Sequence, residues 1–180
     1  MTRAIFLVGM MGAGKTTIGK RLARWLGWEF IDADRELEAR LGVGIPTIFE
    51  LEGEAGFRRR EAAIIDELTQ RERLVLATGG GAVLDPANRA ALGSRGTVIY
   101  LRASLPDLWN RLRRDRHRPL LQTANPRQRI EQLLAERDPL YREVAALIVD
   151  TGRQPVDSVV RTIIDRLPPA TDRLPPAGTA

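Results

Sequence analysis

The sequence predicts an α/β domain in which a parallel five-stranded sheet is covered by helices on both faces. Three observations carry that expectation. Five short apolar segments recur along the 180 residues, helical segments lie between them, and the first strand runs directly into a glycine-rich phosphate loop. Strands buried on both faces read as continuous apolar runs, and parallel pairing needs a crossover, which the intervening helices supply.

The first strand is Ala4-Ile5-Phe6-Leu7-Val8. Gly9-Met10-Met11-Gly12-Ala13-Gly14-Lys15-Thr16 follows it, a complete G-x-x-x-x-G-K-T pattern. A buried strand feeding such a turn, and the turn opening a helix, aims unpaired N–H groups at an anion. The glycines let the backbone close around a β-phosphate without Cβ clashes. Lys15 is placed as a point charge on the β- and γ-phosphates, and the Thr16 hydroxyl as a ligand for Mg²⁺.

Ile18, Leu22, Ala23 and Leu26 then recur at helical spacing over Lys15 to Leu26, and Gly27 ends that helix. Glu29-Phe30-Ile31 is the second strand, followed by Asp32 and Asp34. Helices are expected over Arg35 to Leu41, Pro46 to Glu52 and Glu54 to Gln70. Arg73 to Ala77 is the third strand, ending in Thr78 and Gly79-Gly80-Gly81. A helix from Pro86 to Leu92 precedes the fourth strand, Thr97 to Leu101, which is rich in β-branched and aromatic residues. Leu105 to Arg113 reads as helix. Arg114 to Ala124 is polar and basic, contains Pro119, and reads as a mobile loop. Pro126 to Ala145 is a helix with proline in its first turn, Leu147-Ile148-Val149 the fifth strand, and Val156 to Leu167 the closing helix. Beyond it, Leu-Pro-Pro-Ala occurs at 167–170 and again at 174–177, a composition that predicts a disordered tail over 168–180 and a single domain over 1–167.

With 43% apolar residues the chain can build a proper core, and the absence of cysteine excludes disulfides and thiolate metal sites. No apolar run approaches a membrane span and no signal-peptide h-region is visible, so a cytoplasmic protein without a membrane partner is expected. Of the 28 basic residues only Lys15 and Lys20 are lysine, and the formal charge is +5. Without an aromatic-rich RNA-binding signature or a basic tail, that charge suits small, multiply anionic ligands better than nucleic acid. No long apolar stripe is left uncovered, which favours a monomer.

Asp32-Ala33-Asp34 closes the second strand. Alternate residues of an extended chain face the same way, so both carboxylates can look into the crevice at the strand ends. One can hold a Mg²⁺-bound water while the other accepts a hydrogen bond from an acceptor hydroxyl; alternatively, one caps the next helix. Asp150, at the end of the fifth strand, competes with Asp32 for the metal side, and Asp32 is the expected choice. Arg58 and Glu61, three apart on one helix face, can pair and so orient a guanidinium fork for a carboxylate-bearing acceptor. The glycine triplet offers bare N–H groups close to a ligand. Arg111, Arg113, Arg114, Arg116, His117 and Arg118 crowd the basic loop, where one or two arginines are expected to reach the γ-phosphate on closure.

Taken together these residues resemble shikimate kinase from Ile5 to about Leu167. The phosphate loop through Thr17 is similar to that family's almost letter for letter. So are Phe30-Ile31-Asp32-Ala33-Asp34, Ile48-Phe49 through Gly53-Glu54 to Phe57-Arg58 and Glu61, Ala77 through Val83, Arg118-Pro119-Leu120-Leu121, and Arg137-Asp138-Pro139-Leu140-Tyr141. The resemblance implies a P-loop NTPase fold of the nucleoside monophosphate kinase type, with strand order 2-3-1-4-5, an acceptor region over about 33–61 and a lid over about 113–124. It implies transfer of the ATP γ-phosphoryl group to the 3-hydroxyl of shikimate, with Mg²⁺ as cofactor, on the way to chorismate. Position by position, Gly12, Ala13, Gly14, Lys15, Thr16, Thr17, Arg111, Arg118, Arg153 and Pro155 would bind ATP. Asp34, Arg58, Gly79, Gly80, Gly81 and Arg137 would bind shikimate, Thr16 and Asp32 would hold the metal, and Lys15, Asp34 and Arg118 would be catalytic. A gluconate or nucleoside monophosphate kinase on the same scaffold is the alternative enzyme. A nucleotide switch, or a nucleic-acid-stimulated NTPase, is the alternative class.

Overall fold

In the computed structural model, which describes residues 3–114 and 119–167, five parallel strands form one sheet in the order β2-β3-β1-β4-β5. These are β1 (Ala4–Val8), β2 (Glu29–Asp32), β3 (Leu74–Ala77), β4 (Thr97–Arg102) and β5 (Leu147–Asp150). The central strand sets the register: Phe6 lies beside Leu76 of β3 on one flank and Val98 of β4 on the other. Every residue of β1 and of β3 is buried, as continuous apolar runs in a sheet covered on both faces require.

Among the described residues six helices lie between the strands and a seventh follows the last: α1 (Lys15–Leu26), α2 (Ala33–Leu41), α3 (Ile45–Leu68), α4 (Pro86–Arg95), α5 (Leu105–Leu112), α6 (Pro126–Val144) and, after β5, α7 (Val156–Arg166). They lie on both faces of the sheet. α1 packs on α7, while α4 rests against α3 and α6, and α5 against α6. α1 can approach the sheet closely because Gly19 faces it, where a Cβ would collide with the Phe30 ring.

The elements match the sequence expectation with shifts at their ends. One difference has a clear physical cause. α2 starts at Ala33 instead of Arg35, because the Asp32 side chain accepts from Arg35 N at 3.4 Å and caps the helix two residues earlier. The two helices expected on either side of Gly53 are found as the two arms of α3, which part at Gly53, whose φ of 68° and ψ of −179° no helix residue adopts. Within the basic loop, residues 119–121 form a single 3₁₀ turn and the Leu121 side chain is buried in the core, so this part of the expected mobile lid is anchored. Arg116, His117, Arg118 and the tail from 168 lie outside the described residues. No helix among the described residues is long and apolar enough to cross a membrane.

Candidate active site

A cavity of about 860 Å³ opens at the carboxyl ends of the strands. This is where open α/β sheets place their ligands. One end is the phosphate loop. Gly14, with φ 98° and ψ 14°, is the N-cap of α1 and offers no side-chain cap, so the first-turn N–H groups face the cavity without a side-chain acceptor. Lys15 Nζ curls back over the loop and donates to Gly9 O at 2.7 Å and Met10 O at 2.9 Å. Arg111 braces the same loop from α5: Nη1 donates to Gly12 O at 2.8 Å, and Nη2 to Gly152 O at 2.8 Å and to Thr151 O. The turn after β5 is thereby tied to the loop.

Asp32 takes the capping role that the sequence left open as an alternative, and it also contacts Thr16. One carboxylate oxygen caps α2, and the other accepts from the Thr16 hydroxyl at 2.6 Å. The extended geometry expected for Asp32-Ala33-Asp34 is not found, because the chain turns helical at Ala33. Asp34 sits instead in the first turn of α2, and still lines the cavity. Asp150, the competing carboxylate, is held by Arg102 through two hydrogen bonds of 2.6 and 2.8 Å. That guanidinium keeps its carboxyl below the ordinary range.

The other end of the cavity is charged and largely buried. Arg58 Nη1 donates to Glu61 Oε2 at 2.6 Å and Nη2 to Glu54 Oε1 at 3.0 Å, so the fork is fixed from both sides. Its guanidinium lies 5.1 Å from the centre of the Phe57 ring, which in turn packs on Phe49. Glu61 is only 2% exposed, and burial holds its carboxyl above the ordinary value against the pull of Arg58. Arg137 reaches the same region from α6, also 2% exposed. Among the described residues, Glu61 Oε1 and Arg137 Nε are the buried side-chain atoms left without a hydrogen-bond partner. Buried donors and acceptors are nearly always satisfied, so these two atoms ask for a partner that the described side chains do not supply.

The glycine triplet has a role the sequence did not reveal. A Cβ on Gly79 would collide with Glu61 Oε1 and lie 2.9 Å from Asp34 Oδ1, and one on Gly81 would collide with the Arg58 guanidinium. On Gly80 it would lie 3.3 Å from Met11 N and 3.6 Å from Arg137 Nη1. These glycines therefore make room for the protein's own charged groups and bring the phosphate loop and the arginines to one turn. Gln154, Val156 and Val159 were missed as lining residues of the cavity, since no local pattern marks them; Arg153 and Pro155 are the chain neighbours of Gln154. Arg118, expected at the γ-phosphate, lies outside the described residues.

A sheet of this strand order whose first strand delivers a phosphate loop is the P-loop kinase fold. The family model for shikimate kinase matches residues 11–168. A shikimate kinase of Bordetella pertussis is 62% identical over 91% of this chain and 77% of its own length, and one of Ralstonia nicotianae is 57% identical over 98% and 93%. Among solved structures, shikimate kinase from Acinetobacter baumannii in complex with shikimate superposes with a TM-score of 0.89 at 49% identity, covering 92% of both chains. The chain belongs to the shikimate kinase family, and its activity is that of an ATP-dependent shikimate kinase in aromatic amino acid biosynthesis.

Proposed function

We propose that the chain transfers the γ-phosphoryl group of ATP to the 3-hydroxyl of shikimate, giving shikimate 3-phosphate and ADP, with each half of the cavity serving one substrate. The observation that carries this reading is the pre-paired Arg58–Glu61 fork, its guanidinium half-buried and its carboxylate buried, together with the buried Arg137 at the end of the cavity opposite the phosphate loop. Two guanidinium groups in a half-dry pocket suit a carboxylate, because their paired N–H donors match its two oxygens. The similar Acinetobacter baumannii structure was solved in complex with shikimate, an acid of that kind.

On this reading the N–H groups at the start of α1 and residues Gly12 to Thr17 hold the ATP phosphates, with Lys15 supplying positive charge where it accumulates on the transferring group. Lys15 must leave Gly9 O and Met10 O to do so. Asp34 accepts the proton of the 3-hydroxyl as that oxygen bonds to the γ-phosphorus. The bond from phosphorus to the β–γ bridging oxygen breaks, and ADP departs with that electron pair. Arg58 and Arg137 fix the carboxylate, and the Gly79–Gly81 turn fixes the ring. Arg111, Arg153 and Pro155 serve the adenine side, and Arg118, outside the described residues, would supply charge to the γ-phosphate.

Mg²⁺ fits the hydroxyl and carboxylate oxygens of Thr16 and Asp32, which already touch at 2.6 Å. When bound it would neutralise charge on the β- and γ-phosphates. Among the described residues no cluster of three or more acidic or histidine side chains could cage a metal, as suits an ion held mainly by nucleotide and water. The protein works as a cytoplasmic monomer without a nucleic-acid partner. ADP release measured with shikimate, gluconate, AMP and no acceptor tests the reading. Only shikimate should support turnover, with the product phosphorylated at the 3-oxygen. Turnover of gluconate instead would move the chain to the rival kinase, and steady ADP release without acceptor would make it a simple NTPase.

A further inference from the structure

We infer that Tyr141 is a positioning residue for the phosphoryl acceptor, acting through the carbonyl of Gly80 and through Arg137; the inference rests on the acceptor site proposed above. Tyr141 is fully buried on α6, and its phenol donates to Gly80 O. It sits four residues after Arg137, hence on the same helical face, and lies close enough to feel that guanidinium. One face of α6 therefore presents a cation to the acceptor and a hydroxyl to the backbone turn that flanks it. Burial pushes the phenol far above the usual tyrosine value, so it stays a donor at any working pH.

The ring cannot drift. It packs on Tyr100 with centroids 5.0 Å apart, and the Tyr100 hydroxyl donates to Asp138 Oδ1 at 2.7 Å, while Arg142 Nε holds the other oxygen of Asp138 at 2.6 Å. The far side of the turn is secured from α4, where Asn88 Nδ2 donates to Ala82 O at 2.9 Å and Arg89 Nη1 to Val83 O at 2.8 Å. Within the turn itself, Gly79, Gly80 and Gly81 have no side chains, so nothing of their own restrains Gly80. The Tyr141 hydroxyl is the side-chain contact that sets where Gly80 sits relative to Arg137.

Tyr141→Phe keeps the ring and its packing and deletes only the donor. Initial rates with each substrate varied in turn should show KM for shikimate raised about 5- to 30-fold, the range for losing one buried hydrogen bond, with KM for ATP within twofold. Tyr100→Phe keeps the ring on which Tyr141 packs and deletes a hydroxyl that does not touch the turn, so it should leave both constants within twofold. Equal rises in both KM values, or a shikimate KM unchanged in Tyr141→Phe, would overturn the inference. Arg137→Ala, assayed alongside, separates the two levels: if it raises KM for shikimate while Tyr141→Phe does not, the acceptor site stands and the role of Tyr141 falls. Should Tyr141→Phe fail to fold, the chain's two tyrosines can carry fluorine instead. The Tyr141 resonance, assigned by its persistence in Tyr100→Phe, must then shift on adding shikimate to protein already saturated with Mg-ADP. A resonance blind to shikimate would equally overturn the inference.

Discussion

The two halves of the cavity are built by different means. The nucleotide half is mostly backbone from one stretch, residues 9 to 17, in which a strand end, a turn and a helix start follow without interruption. The acceptor half is mostly side chain. It draws on α2, both arms of α3, the turn after β3 and α6, and it keeps Glu61 and Arg137 almost wholly out of water. A backbone grip needs few particular side chains and suits a ligand shared by many enzymes. A converging set of buried charges is costly to assemble, because each ion must find its partners on folding, and it is selective for the same reason. Damage to the acceptor half should therefore change which alcohol reacts and how tightly it binds, while nucleotide binding survives.

The sharpest division is expected at Asp34. Asp34→Asn removes the proton acceptor but leaves the phosphate loop untouched, so kcat should fall by roughly two to four orders of magnitude, the contribution of a positioned base. Mg-ATP affinity, followed by equilibrium titration, should be unchanged. Near-normal turnover would remove Asp34 from the chemistry.

Gly81→Ala probes the crowding that the glycine triplet relieves. The nearest atoms the added Cβ would meet are the guanidinium at the far end of the Arg58 side chain, which can swing aside, so the chain should still fold. The fork must swing off Glu61, however, and KM for shikimate should rise about tenfold or more, as expected when a charged hydrogen bond is lost. Gly93→Ala, in α4 with nothing near its Cβ, is the matched control and should leave both KM values alone. Equal behaviour of the two variants would show that the triplet is only a turn.

The smallest effect expected is on stability against pH. Burial raises the Glu61 carboxyl above its ordinary 4.5, so the folded protein holds that proton more tightly than the unfolded chain does. The contribution is present below the unfolded value and is lost as pH rises through the raised folded value. Denaturant unfolding of parent and Glu61→Gln from pH 4.5 to 8 should show the parent losing ground to the variant as pH rises. A difference independent of pH would mean that Arg58 fully compensates the burial of Glu61.

The contrast also explains what was legible in the sequence. The phosphate loop was foreseen because a contiguous pattern encodes it, and the strand order because the family resemblance implies it. Arg58 with Glu61 was foreseen because three residues on a helix is a local spacing. The conformation of Asp34 was misread: the end of β2 is decided by whether Asp32 caps the next helix, and two carboxylates one residue apart suit a strand and a helix start equally well. The reason for the triplet was hidden, because Gly79 and Gly81 accommodate Glu61 and Arg58, some twenty residues away. Val156 lines the cavity from α7, which packs on α1, and Gln154 from the turn after β5 that Arg111 ties to the phosphate loop, both distant in sequence from that loop.

The separation of the halves is tested most directly by calorimetric titration of parent and Arg58→Ala, once with shikimate and once with Mg-ADP. Shikimate binding should weaken by at least tenfold in the variant while the Kd for Mg-ADP stays within twofold. An unchanged shikimate affinity, or a nucleotide affinity that falls with it, would contradict the division of the cavity.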